Sequence, residues 1–180
     1  IFPCKSKEAT KEIREHAAKL YEQYVKESYD VMVAFLEGPS TKILSCCNDP
    51  MCRKYAWMHT NLKKRHRTAV FYKSFEEEKY AYSQYDKIVF VSEEIRVAFG
   101  EMFGIELVQN AAVCYNPLEA KTIRRMAEGY EVAHDKFTIC AVGRVIPEKG
   151  FLRLTSICEH MVEDGRDFTL NIVGDGKEYD

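Results

Sequence analysis

A loop bounded by glycines carries the residue types best suited to hold a phosphorylated ligand. Residues 143–150 include Arg144 and Lys149, whose guanidinium and ammonium groups both bind phosphate oxygens. Gly143 permits close backbone approach, and Gly150 directly precedes a predicted helix whose N-terminal amides favour an anion. Because an apolar strand leads into this loop, the pattern predicts a diphosphate site at a sheet edge. The alternative is a solvated polar turn with ordinary surface charges.

A second short loop and a single histidine end two other predicted strands. Gly174-Asp175-Gly176 follows the apolar run ending at Val173, and this glycine spacing permits tight approach of a flat or phosphorylated ligand. On its own the pattern is weak, and a plain tight turn is the alternative. His59 ends the strand in Trp57-Met58-His59-Thr60, where its ring can hydrogen-bond a sugar hydroxyl. The alternative is an imidazole satisfied by neighbouring backbone groups.

The elements that position these residues alternate between strand and helix. Apolar segments predict six strands, at 31–36, 55–58, 87–91, 112–115, 137–142 and 168–173. Ser6 is predicted to cap a helix before the first strand, and Ser92 to cap the helix after the strand 87–91. The alternation is typical of an α/β protein with a parallel sheet and right-handed crossovers. Ligands of such sheets bind beyond the carboxyl ends of the strands, where the two loops and His59 are expected.

Local patterns also predict which faces are buried. Apolar residues from Ile13 to Tyr24 recur at helical spacing and predict one buried stripe. The unbroken apolar run 31–36 is typical of a parallel strand covered on both faces. Glu76, Glu77 and Glu78 predict a charged, solvent-facing surface on the helix that precedes residue 87.

The composition disfavours several classes of function. The 180 residues are 46% hydrophobic, enough for a core, and the formal net charge of -2 argues against a nucleic-acid partner. No apolar run approaches the roughly 20 residues that span a bilayer, and no signal-peptide pattern is found. Seven cysteines at irregular spacings fit a reduced cytoplasmic protein better than a disulfide framework.

Three further patterns have weaker chemical interpretations. Cys46, Cys47 and Cys52 with His59 match no common zinc spacing, so no metal site is predicted. The basic cluster Lys63–Arg67 predicts a solvated loop, with a peripheral contact to anionic membrane lipids as the alternative. No strand is followed by Gly-x-Gly-x-x-Gly opening a helix, which disfavours a hydride-transfer enzyme.

The order and spacing of these motifs resemble the GT4-type (group 1) glycosyltransferases of the GT-B fold over nearly the whole chain. Three segments resemble the start of that family's C-terminal lobe: Gly143-Arg144, Glu148-Lys149-Gly150 and Val173-Gly174-Asp175-Gly176. The end of its N-terminal lobe is similar to four earlier segments: Tyr29-Asp30-Val31, Trp57-Met58-His59-Thr60, Val91-Ser92-Glu93 and Tyr115-Asn116-Pro117.

The resemblance implies a GT-B-like architecture, with parts of two Rossmann-like parallel-sheet lobes joined by a linker. Residues 1–116 would form part of the acceptor-side lobe, residues 117–136 the interlobe linker and helix, and residues 137–180 the start of the nucleotide-sugar-binding lobe. The family's first glycine-rich loop and its downstream Glu-x7-Glu segment have no counterpart here. We therefore expect these 180 residues alone to be inactive and to leave apolar sheet edges uncovered.

The resemblance also implies roles for individual residues. Arg144 and Lys149 would hold the donor diphosphate and stabilise the leaving group, with Gly143 beside them. The loop formed by Gly174, Asp175 and Gly176 would lie near the nucleobase. His59 would face the cleft and touch the donor sugar or the reacting centre.

The acceptor side and the reaction follow from the same resemblance. Glu37, after the strand 31–36, would help to shape the acceptor site. The implied activity is transfer of a sugar from a nucleotide sugar to a glycan or lipid-linked acceptor, retaining configuration, without metal or other cofactor. The expected setting is the cytoplasm, including the inner face of the cell membrane, in bacterial surface polysaccharide synthesis. The alternatives are a GT-B-fold sugar-nucleotide epimerase and a non-catalytic nucleotide-sugar-binding module.

Overall fold

The computed structural model describes residues 6–129 and 133–179, and the chain divides into two compact units, Ile1–Leu118 and Glu119–Asp180. The first unit contains α1 (Lys7–Tyr24), β1 (Val31–Ala34), α2 (Pro39–Leu44), β2 (Arg53–Met58), α3 (Phe75–Ser83), β3 (Lys87–Phe90), α4 (Glu93–Phe103) and β4 (Ala112–Val113). The second contains α5 (Ala120–Glu128), β5 (Thr138–Val142), α6 (Phe151–Glu163) and β6 (Thr169–Val173). The predicted α/β class with parallel strands is confirmed, and the strands form two small sheets. No helix among the described residues is long and apolar enough to cross a membrane.

The first unit is built on a four-stranded parallel sheet in the order β1-β2-β3-β4. One face of this sheet is buried, and its side chains come from alternate strand positions such as Ala34, Ala56 and Phe90. Phe99 and Phe103 of α4 pack on that face, with their ring centroids 4.6 Å apart. This core fixes the carboxyl ends of β1, β2 and β3 side by side.

The opposite face of the sheet is open along β1. Val31 and Val33 are 53% and 43% exposed, whereas Met32 and Ala34 are buried. The prediction that residues 31–36 are covered on both faces is therefore wrong. The strand order gives the reason, because right-handed crossovers that all step in one direction place their helices on the same face.

Helix α1 forms an outer layer over α2. Ser6 caps it as predicted, since Ser6 Oγ accepts the Ala9 amide at 3.1 Å. Ile13, Ala17 and Leu20 are buried against Ile43 of α2. The predicted stripe extends one residue too far, because Tyr24 is exposed at the last position of α1.

The second unit packs α6 against the parallel pair β5–β6. Phe151 and Cys158 are the buried residues of α6, while Val142 and Val173 at the strand ends are exposed. Like β1, this sheet therefore presents apolar side chains to solvent within the described residues.

Glu78 is buried, so the prediction of one solvent-facing glutamate surface on α3 is wrong. Its carboxylate accepts from Thr68 Oγ1 at 2.5 Å and lies 2.6 Å from His66 Nε2. Glu76 on the same turn stays exposed. Successive residues on an α-helix are about 100° apart around its axis. Glu76 and Glu78, two residues apart, therefore lie on nearly opposite sides of the helix.

Candidate functional site

The loop after β5 places two exposed cations between a strand end and a helix start. Arg144 follows Gly143, and Lys149 ends a short 3₁₀ turn, Pro147–Lys149. Within the described residues neither side chain makes a hydrogen bond or an ion pair. Gly150 then adopts a left-handed conformation with φ of 72°, which turns the chain into α6. Both cations are free to bind an anionic ligand.

The start of α6 adds a third cation and uncapped amides. Helices α1, α3 and α4 begin at Ser6, Ser74 and Ser92, whose hydroxyls accept amide hydrogen bonds and are followed by glutamates. Helix α6 has neither a side-chain cap nor an acidic residue in its first turn. Its first turn carries Arg153, whose Nη2 lies 3.8 Å from where a Cβ on Gly150 would be. The positive helix end and the cations together favour an anion.

Arg153 was not predicted from the sequence as a site residue. Two features of the sequence could have indicated Arg153: it lies four residues after Lys149, and it lies in the first turn of a predicted helix. A cation at this position is unfavourable for the helix dipole. The structure shows that Arg153 makes no ion pair within the described residues.

The Gly174-Asp175-Gly176 loop lies directly beside the Arg144 loop. The Gly143 amide donates to the Val173 carbonyl at 3.0 Å, and the Val145 amide donates to the Asp175 carbonyl at 2.9 Å. These bonds continue the β5–β6 pairing beyond the strand ends. The second predicted loop is thereby brought to the same sheet edge as the first.

The glycines of the second loop are explained by this contact between loops. A Cβ on Gly174 would lie 1.8 Å from the Gly143 carbonyl oxygen, and one on Gly176 would lie 2.1 Å from the Val145 carbonyl oxygen. Neither position can hold a side chain without moving the neighbouring backbone. The packing of the two loops therefore requires glycine at both positions. A contact of this loop with the nucleotide-sugar donor stays a prediction.

In the first unit, Glu37 and His59 lie at the ends of adjacent strands. Glu37 follows β1 and His59 follows β2, and Glu37 Oε2 accepts the His59 amide at 3.0 Å. The other carboxylate oxygen of Glu37 accepts a short hydrogen bond from the Thr60 hydroxyl. The structure therefore brings together two residues that the sequence placed in separate roles.

The His59 ring packs against an aromatic neighbour and keeps an unused nitrogen. The ring centroids of Phe35 and His59 are 4.9 Å apart, and those of Phe35 and Trp57 are 5.5 Å apart. His59 Nε2 and Trp57 Nε1 are buried and make no hydrogen bond within the described residues. Since buried polar atoms are normally paired, both are candidates to meet a ligand.

The basic segment Lys63–Arg67 is largely neutralised by carboxylates. Lys63 Nζ lies 2.7 Å from Glu101, and Lys64 Nζ lies 2.7 Å from Glu94, both on α4. These pairs line a groove of about 570 Å³ between the segment and the helix. A contact of this segment with anionic lipid stays a prediction.

No group of three or more His, Cys, Asp or Glu side chains that could hold a metal ion is found in residues 6–129 and 133–179. Cys52 directly precedes β2, whereas His59 directly follows it. A strand of this length separates its ends by roughly 20 Å. The cysteines near residue 50 and His59 therefore cannot share one ion. The described cysteines are all free thiols.

Comparison with known proteins gives no relative from which to assign a function. No family model matches the chain, and no curated protein matches it. Two sets of residues are candidates for a function: Arg144, Lys149 and Arg153 in the second unit, and Glu37 with His59 in the first.

Proposed function

We propose that the protein is a nucleotide-sugar-dependent glycosyltransferase of the GT-B type, which transfers a sugar to a glycan or lipid-linked acceptor. In this proposal the second unit holds the diphosphate of the donor at the loop after β5. His59 is proposed to contact the donor sugar or the reacting centre. The proposal places the reaction in the cytoplasm.

The observation that carries the proposal is the unpaired charge at the start of α6. Arg144 and Lys149 are exposed and lack partners within the described residues, and the helix start lacks both a cap and an acid. Lys63 and Lys64 of the first unit, in contrast, are paired with glutamates. An anion of two or more charges would satisfy the loop, and a diphosphate has that charge.

The proposed chemistry uses these cations on the leaving group. When the bond between the sugar and the phosphate breaks, negative charge builds on the departing diphosphate. Cations already fixed at that position stabilise the transition state more than the ground state. Arg144 suits two phosphate oxygens at once, while Lys149 acts as a point charge.

The test is binding of UDP-, GDP-, ADP- and dTDP-sugars to the full-length protein by calorimetry. The Arg144→Ala/Lys149→Ala double variant removes the proposed site. The matched control is Lys121→Ala/Arg124→Ala, which removes the same two residue types from exposed positions of α5 that make no ion pair within the described residues. Each lost charged hydrogen bond costs about 1.5–3 kcal/mol, so the site variant should bind well over tenfold more weakly.

The outcomes separate the competing functions. Binding of one nucleotide sugar that only the site variant loses supports the proposal and identifies the donor class. Equal binding by both double variants would show that the loop is an ordinary surface turn. Incubation of the bound nucleotide sugar without acceptor, followed by product analysis, distinguishes an epimerase, which converts the sugar while it is still attached to the nucleotide.

A further inference from the structure

We propose that Glu37 is a positioning residue that acts through His59 and does not itself recognise the acceptor. The assignment builds on the proposed function, because His59 is the residue that would meet the donor sugar. The geometry behind it is independent of any ligand. It consists of the two hydrogen bonds of Glu37 and the ring contact of Phe35.

The carboxylate of Glu37 replaces a missing strand partner at the end of β2. The last paired residues of β1 and β2 are Ala34 and Ala56. Beyond them the chain of β1 turns away toward α2, so the His59 amide has no backbone acceptor there among the described residues. Glu37 Oε2 accepts it at 3.0 Å. On the β3 side, the Val91 amide donates to the Met58 carbonyl at 3.2 Å, so the β2 end is held on both sides.

Glu37 holds the segment at two points. Its Oε2 binds the backbone of His59 and its Oε1 binds the hydroxyl of Thr60. Hydrogen bonds to an ionised carboxylate are stronger than those between neutral groups. Two such bonds to consecutive residues fix the direction in which the chain leaves the strand. Glu37 thereby restricts the backbone from which the His59 side chain projects.

The ring of His59 is restrained from the same loop. Phe35, two residues before Glu37, lies 4.9 Å from the His59 ring with the planes tilted by 60°. The Nε2 atom of that ring is buried and unpaired within the described residues. A side chain that is held in place but keeps an unused polar atom is arranged for a ligand rather than for the core.

Kinetics of the full-length protein test the role of Glu37, with the nucleotide sugar that it binds as the donor. In Glu37→Ala we expect kcat to fall about 100-fold while the KM for the acceptor is unchanged, because a small displacement of His59 costs rate. The Glu37→Ala/His59→Ala variant should be no slower than His59→Ala. In Glu37→Gln, most activity should return, because an amide can bond to both His59 and Thr60. A raised acceptor KM with unchanged kcat, or additive losses in the double variant, would overturn the proposal.

Amide hydrogen exchange measured by NMR decides the same point without activity. In Glu37→Ala the His59 amide should exchange at least about tenfold faster, while amides of β3 are unchanged and Glu37→Gln stays near wild type. Glu94→Ala is the matched control, since it removes an equal charge that bonds Asn61 and Lys64 in the same loop. Unchanged His59 exchange in Glu37→Ala sinks the proposal even if the protein is a transferase. If no nucleotide sugar binds, the proposed function fails, and the exchange rates still show whether Glu37 holds His59.

Discussion

Val145 donates its backbone N–H to the carbonyl oxygen of Asp175 at 2.9 Å, and its own carbonyl accepts from Glu178 at 3.1 Å. Its side chain is also buried, at 4% exposure. Val145 therefore anchors the Arg144 loop to the Gly174-Asp175-Gly176 loop through both backbone groups. The position of Arg144, the preceding residue, depends on the second loop as well as on its own strand.

This relationship makes Gly174 a structural residue. In Gly174→Ala the added Cβ would lie 1.8 Å from the Gly143 carbonyl oxygen, so the two loops must separate. We expect a loss of about 1–3 kcal/mol in the free energy of unfolding, measured by urea denaturation. The control Gly129→Ala adds a Cβ in ordinary contact, 3.4 Å from Met126 O, and should change stability little. A Gly174→Ala protein of wild-type stability with lost nucleotide binding would instead indicate direct ligand contact.

Glu78 is expected to be a stability residue despite its place in a run of three glutamates. Glu78→Ala leaves the buried Thr68 hydroxyl without its acceptor and removes the partner of His66. The free energy of unfolding should fall by about 1–3 kcal/mol. Glu76→Ala, on the exposed side of the same turn, is the matched control. Equal stability of the two variants in chemical denaturation would contradict the buried network.

Glu77 makes stability depend on acid pH. Partial burial raises the pKa of Glu77, but hydrogen bonds from Lys42 Nζ and the Lys73 amide outweigh it, so the pKa lies below its ordinary value. The resulting stabilisation is fully present above the unfolded-state pKa of about 4.3 and is lost as pH falls through the lower folded-state pKa. Glu77→Gln should flatten the acid limb of a plot of unfolding free energy against pH. If the acid limb of Glu77→Gln is as steep as that of the control Glu76→Gln, this assignment is wrong.

The cysteines should differ in reactivity according to burial. Cys114 and Cys140 are exposed, whereas Cys47 and Cys52 are buried. Burial is also the main cause that raises the pKa of the Cys46 and Cys52 thiols. Since the thiolate is the reactive form, iodoacetamide should modify Cys114 and Cys140 first at neutral pH. Peptide mass spectrometry at short times measures the order, and early modification of Cys52 would contradict the packing.

Much of the site's location could be predicted from the sequence, because strand ends are local features. The apolar run ending at Val142 and the following Gly143-Arg144 place the cationic loop at a strand end without knowledge of any distant residue. Serine caps such as Ser92 are equally local, since the hydroxyl bonds an amide three residues later. The contact between Glu37 and His59 was not predicted, because it depends on β1 and β2 being neighbours.

The α/β alternation, the caps at Ser6 and Ser92 and the loops with cations after strands could all be predicted locally, since each follows from periodicity or from bonds within one turn. Which charges are paired is visible only in the folded chain. Lys63 and Lys64 are neutralised by α4, Glu78 is buried against His66, and Arg144 keeps its charge free among the described residues. Whether a charged side chain has a partner depends on residues that are distant in the chain and close in space. A single sequence contains no record of those distances.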